Sequence, residues 1–187
     1  MKNIRKIINE VIDEMKVYHS SPFNFKRFGL NHVNDAKNGQ IYGYGIYFDF
    51  EKNNAYGKNN YYVDLPDDKK LYLFGDKPLS KTFVRDAFYK LLKYIKQNKP
   101  RMIKIWGEEN LIKDMSGILN CDNAHSLYGT ISYFLGSDKE TSFFIKKYLK
   151  KIGIIYSLEG STPNKRHYYA VIFDSSYIKI TRKEINN

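Results

Sequence analysis

The sequence predicts a single α+β domain, and three observations carry that expectation. Runs with strand character cluster toward the two ends of the chain. Helical periodicity fills the stretch between about 80 and 150. No repeat, low-complexity segment or linker divides the 187 residues, a length that suits one domain with a sizeable core.

The elements follow in order. Residues 3–16 place Ile4, Ile7, Ile8, Val11, Ile12 and Met15 on one face and Lys6, Asn9, Glu10 and Asp13 on the other, the pattern of an amphipathic helix. "KVYHSS" reads as a short strand stopped by Pro22. A polar stretch through Asn31, Asn34, Asp35, Asn38 and Gly39 reads as a loop, and residues 40–50, "QIYGYGIYFDF", as a strand broken by two glycines. A helical turn is expected over 52–57. "YYVDL" and "KLYLF" are extended, the first ended by Pro66.

Residues 80–98 bury Phe83, Val84, Ala87, Phe88, Leu91, Leu92 and Ile95 along a second helix. The short run "MIKIW" precedes a weaker helix at 108–119 and a stronger one at 124–135 that stops at Gly136. Ser137 and Glu140 have the spacing of a capping box and open a further helix, which ends before Gly153. "GIIYS", "YYAVIFD" and "YIKITRK" complete the chain as three extended pieces.

Composition excludes several classes. One cysteine, Cys121, precludes an internal disulfide framework and points to a reducing, cytoplasmic setting. The four histidines lack metal-ligand spacing, so no metal is expected. No apolar run approaches membrane-spanning length, and no signal peptide or membrane association is expected. There is no GxxxxGK(S/T) phosphate loop, no GxGxxG fingerprint and no GxSxG elbow. The net charge of +11 favours a polyanionic or acidic partner. The lysines at 90, 93, 96, 99 and 104, with Arg101, read first as a solvated helix face and second as a footprint for nucleic acid or an acidic protein.

Two segments remain: Tyr18-His19-Ser20-Ser21-Pro22 and Gly43-Tyr44-Gly45-Ile46-Tyr47-Phe48. The first ends a strand in small hydroxyls and backbone amides. The second could bring bare backbone close to a flat ligand and present a tyrosine ring. Together they suit a planar, amide-bearing heterocycle.

These segments resemble the ADP-ribosyltransferases of the diphtheria-toxin and poly(ADP-ribose) polymerase type, and most nearly the ADP-ribosyltransferase domains of phage and mobile-element polyvalent proteins. The resemblance rests on "YHSSPFNFKRF", "GYGIYFDFEKNNA" and "YAVIFDSSYIKI" in that order and covers residues 17–182. It implies a split antiparallel β core with an N-terminal helix and a helical insert at about 80–150 that governs target choice. It implies NAD+ as substrate. His19 would hydrogen-bond the adenine-side ribose, the backbone of Ser20 would pair with the nicotinamide carboxamide, and Ser21 would fix His19 or the ribose. Gly45 would admit the ligand, Tyr47 would stack on nicotinamide for roughly 0.5–2 kcal/mol, and Tyr56 would close the other side.

There are two departures from the family pattern. Ser20 stands where glycine is usual, and Tyr169 stands where the chain-forming enzymes carry a glutamate, with Glu159 and His167 as nearby substitutes. Losing that carboxylate points away from chain elongation. It leaves mono-ADP-ribosylation of a protein or nucleic acid, or NAD+ hydrolysis, as befits a phage or mobile-element effector or anti-defence factor. The alternative is a non-catalytic binding module of the same fold for nucleic acid or a protein partner.

Overall fold

The computed structural model describes residues 15–33, 43–52, 57–159 and 166–185. The expected helix at 3–16 and turn at 52–57 fall largely outside these residues. Where they meet, Met15 has a left-handed φ of 39° and Lys16 already opens a strand, so no helix reaches residue 16.

Seven strands form one sheet: β1 (Lys16–Ser21), β2 (Ile46–Asp49), β3 (Asn59–Asp64), β4 (Tyr72–Phe74), β5 (Gly153–Glu159), β6 (Arg166–Ile172) and β7 (Lys179–Ile185). Their order is β4-β5-β6-β2-β1-β3-β7, antiparallel except for the parallel β4–β5 pair. Five α-helices among the described residues lie between β4 and β5: α1 (Lys81–Asn98), α2 (Pro100–Trp106), α3 (Glu108–Met115), α4 (Ala124–Leu135) and α5 (Asp138–Tyr148). The architecture is thus α+β, with the helical insert where the sequence places it.

Local chemistry fixes the helix boundaries. Ser80 caps α1 by accepting the Phe83 N–H at 3.2 Å. Asn123 and Ser126 form a reciprocal capping box at the start of α4, and Gly136 ends it with a φ of 73°. At α5, Ser137 accepts the Glu140 N–H, but Glu140 does not complete the expected box. Its carboxylate goes instead to the Tyr94 hydroxyl (3.0 Å) and the Lys99 ammonium (2.8 Å), a cation being the stronger donor. This ties α5 to the end of α1. "MIKIW" is helical, with Pro100 at the N-terminus of α2 and Gly107 breaking the chain at a φ of 78°. The α-helix at 108 stops at Met115, and a 3-10 turn carries the chain through Ser116–Asn120.

Two cores flank the sheet. The helices bury Leu91, Ile95, Leu111, Met115, Leu127, Ile131 and Phe144 against Ile154, Val171 and Phe173. On the opposite face Val17, Ile46, Phe48, Tyr61 and Val63 pack together, covered by Phe25, Phe28 and Leu30 from the segment after β1.

The broken strand at 40–50 is shorter than its pattern suggests, since only Ile46–Asp49 is strand among the described residues. Both glycines answer to protein neighbours. A Cβ at Gly43 would lie 2.8 Å from the Tyr128 ring, and Gly43 has a φ of 119°. A Cβ at Gly45 would lie 2.7 Å from Val171 and 2.8 Å from the Ile172 carbonyl. The expectation that Gly45 is bare to admit a ligand is therefore corrected: it lets β2 approach β6. Gly45→Ala should destabilise the fold by about 1–3 kcal/mol through overpacking. Urea unfolding reads this directly, and an unchanged midpoint would show that β2 can shift away from β6 at no cost.

Candidate active site

The site is built on an interruption in the sheet. β1 pairs with β3 over its whole length, Lys16↔Asp64 through Ser21↔Asn59. Against β2 it registers only Tyr18↔Asp49. Beyond that rung the two strands part.

Two hydrogen bonds fix which way each backbone group points. The Leu65 N–H donates to the Met15 carbonyl at 3.2 Å, so the odd-numbered residues of β1 face β3 and the even-numbered ones face β2. The Phe50 N–H donates to the Tyr168 carbonyl at 3.1 Å, so Tyr47 and Asp49 face β1. Tyr18 and Asp49 satisfy one another. The next rung would set Ser20 against Tyr47, and no such pair is registered. His19 Nδ1 lies 2.8 Å from the Tyr47 carbonyl oxygen instead. A side chain thus bridges the place where the backbone ladder stops. The N–H and C=O of Ser20 face this seam side by side.

Ser20 is anchored for that task. Its Oγ donates to Asn60 Oδ1 at 2.6 Å, and the residue is 7% exposed. Asn59 Nδ2 holds the carbonyls of Ser21 and Pro22, both at 3.2 Å. The non-glycine residues with positive φ among those described are Met15 and Lys150, so Ser20 adopts an ordinary conformation and glycine is not required there. Asn59 and Asn60 were not singled out in the sequence, although two adjacent asparagines ahead of "YYV" are a visible signal. Ser21 Oγ accepts the Phe23 N–H at 3.1 Å and closes a local turn, so among the described residues it is not bonded to His19.

His19 is enclosed by rings. Phe28 stands at 5.1 Å, Phe48 at 5.8 Å, Phe25 at 6.0 Å and Tyr61 at 6.4 Å between centroids. Burial lowers its pKa, opposed by the bond to Tyr47, so the imidazole is neutral at pH 7. A carbonyl partner requires the proton on Nδ1, which leaves Nε2 as an acceptor.

Tyr47 does not share a slot with that ring. Side chains alternate along β2, so Tyr47 points opposite to Phe48, whereas His19 packs on the Phe48 face. The Tyr47 phenol lies against the helical core and donates to the Gly43 carbonyl at 2.9 Å. The expectation that Tyr47 and His19 side chains hold one ligand from the same face is corrected: the contact between them is from the His19 side chain to the Tyr47 backbone. Tyr169 shares the Tyr47 face: it is registered with Asp49 and stacks on Tyr156 at 5.4 Å with an interplanar angle of 19°. Tyr56 and the side chain of Glu159 lie outside the described residues. His167 Nδ1 is 3.5 Å from the Glu51 carboxylate.

Two concavities border the Tyr47 face. One of about 220 Å³ is lined by Gly75, Asp76, His125, Tyr128, Ile154 and Tyr156. The other, about 510 Å³, is lined by Gly43, Tyr128, Gly129, Ser132 and Asp138 among others. They share His125 and Tyr128. Among the described residues neither is lined by His19, Ser20 or Tyr47; Tyr156, in the first, stacks on Tyr169.

Among the described residues no group of three or more His, Cys, Asp or Glu side chains gathers as a metal site, and no helix is long and apolar enough to cross a membrane. No protein-family model, curated protein or solved structure matches this chain.

The pH dependence follows from His19. Unfolded, it titrates at 6.5, and folded, below that. The unfolded chain takes the proton first, so the contribution to stability is complete above pH 6.5 and is lost as pH falls toward the folded value. Asp49 acts in the opposite sense: its folded carboxyl is pushed up to about 6 from 3.8, so acidification over that range favours the fold. Comparing wild type with His19→Gln by urea unfolding at about pH 7.5 and about pH 5.5 isolates the histidine. The wild type should lose more stability than the variant, by at most roughly 1.4 kcal/mol per pH unit. Equal losses would contradict a buried neutral imidazole.

Proposed function

We propose that the β1–β2 seam binds the nicotinamide end of NAD+ and that the protein is a mono-ADP-ribosyltransferase. The observation that carries this reading is the backbone of Ser20. Its N–H and C=O face the seam between the strands, with no β2 residue registered opposite. A primary carboxamide offers the complementary pair, an acceptor oxygen and a donor N–H. The same seam is bridged by His19, whose Nε2 is left to accept a ribose hydroxyl.

The chemistry asks little of a base. The bond between ribose C1′ and the pyridinium nitrogen breaks, and its electron pair leaves with neutral nicotinamide. Positive charge develops on the ribose, and a nucleophile on the acceptor attacks C1′ and loses its proton. The site serves by holding the carboxamide at Ser20 and by presenting acceptor oxygens and ring faces to the developing charge. At the seam Tyr47 and Tyr169 stand on one face of the sheet and His19 on the other.

The binding-module alternative draws on the basic helices, and ion pairs weaken it. Lys90 pairs with Asp86 (2.8 Å), Lys96 with Glu108 (2.5 Å), Lys99 with Glu140 (2.8 Å) and Lys146 with Asp174 (3.1 Å). Those four lysines read as a solvated, ion-paired face, while the net charge of +11 is unchanged by the pairing.

Incubation with labelled NAD+ and cell lysate tests the proposal. Wild type should release nicotinamide and label a macromolecule. His19→Ala should reduce both by about 10-fold or more, the worth of one lost hydrogen bond to a buried polar site. Absence of NAD+ binding at millimolar concentration would overturn the proposal, as would activity indifferent to His19.

A further inference from the structure

The strand registers set one row of side chains across five strands on a single face. It runs Tyr62 of β3, Tyr18 of β1, Asp49 of β2, Tyr169 of β6 and Tyr156 of β5. One acid stands among four tyrosines. The outer rings already have partners: Tyr18 meets Tyr62 edge-on at 5.1 Å, and Tyr169 stacks on Tyr156. Asp49 lies between the two pairs, on the last rung before β1 and β2 part. It is half-buried, and no described residue hydrogen-bonds or ion-pairs with its carboxylate. A carboxylate withdrawn from water without donors is costly, which is the condition a ligand's hydroxyls would relieve.

We propose that Asp49 grips the hydroxyls of the nicotinamide-side ribose, supplying from β2 the carboxylate that β6 lacks at Tyr169. This rests on reading the seam as an NAD+ site. Residues 49 and 169 are register partners, and such partners have Cα atoms about 4.5–5.5 Å apart. An acid moved from one strand to its neighbour therefore stays within a side chain's reach of the same point. Two carboxylate oxygens match a vicinal diol, and the resulting charge-assisted bonds are the strong kind. As the bond from C1′ to nicotinamide breaks, the fixed negative charge steadies the cationic ribose; Asp49 stays ionised and forms no covalent bond. The groups facing it are Tyr18 from β1, Tyr47 from β2 with Glu51 just past its end, and Tyr169 and His167 from β6. Burial pushes its carboxyl up to about 6, with His167 pulling it down and Glu51 pushing it further up, so it is ionised above that pH.

The test uses the full chain with NAD+ and with an analogue lacking the 2′-hydroxyl of the nicotinamide ribose. Asp49→Asn should lower kcat for nicotinamide release from NAD+ by about 10- to 100-fold. It should leave the Kd of free nicotinamide unchanged and remove the limb of the pH profile at about 6. On the analogue the variant should lose less of its rate than on NAD+, because one of the two hydroxyl bonds is already absent while the 3′-hydroxyl bond and the carboxylate charge remain. An active wild type whose Asp49→Asn variant keeps its rate, or is slowed equally on both substrates, overturns this assignment alone. A wild type that neither binds nor cleaves NAD+ overturns the assignment together with the NAD+ reading.

Discussion

The structure depends on a hydrogen-bond ladder that stops one rung early. After Tyr18↔Asp49 the β1–β2 backbone pairing ends, and the imidazole of His19 takes the Tyr47 carbonyl that the next peptide would have used. A buried carbonyl without a partner is expensive, so the histidine is as much a structural bridge as a chemical group. Burial among aromatic rings keeps it neutral, and its position leaves the Ser20 peptide turned toward the seam where the pairing stops.

Residues around that seam hold it in shape from a distance. Asn60 fixes the Ser20 side chain, and Asn59 fixes the two carbonyls that follow. Gly45 lets β2 press against β6, and Gly43 lets the chain pass under Tyr128, whose hydroxyl also accepts the Tyr44 N–H at 3.3 Å. The helical insert therefore braces the entry to β2 directly. A second consequence is that the sheet offers two unlike faces at one point: aromatic and apolar around His19, tyrosine-rich and acidic around Asp49.

Much of this was legible in the sequence. The 3.6-residue period of 80–98 and the cap at Ser137 are local signals, and helices stand at those places. The strand runs and the helical insert followed for the same reason. What was not legible depends on contacts far along the chain. The glycines of "GYGIYF" read as room for a ligand because Tyr128, Val171 and Ile172, the neighbours that require them, lie more than 80 residues away. Tyr47 and His19 read as parts of one ligand site because the register that sends their side chains to opposite faces exists only once β1, β2 and β6 are paired. Asp49 passed unnoticed because an acid at a strand end reads as solvent-facing; its row of tyrosines comes from four other strands. "MIKIW" is too short for periodicity to separate strand from helix, and Pro100 and Gly107 decide it.

The central claim is that the Ser20 peptide receives a carboxamide, and the most direct measurement is the amide resonance of Ser20 in protein labelled with nitrogen-15 serine during titration with nicotinamide and with nicotinate. The account predicts a saturable shift of the Ser20 signal with nicotinamide and none with nicotinate, which lacks the amide donor. A Ser20 resonance that stays fixed while nicotinamide binds, or that moves equally with both compounds, would contradict it.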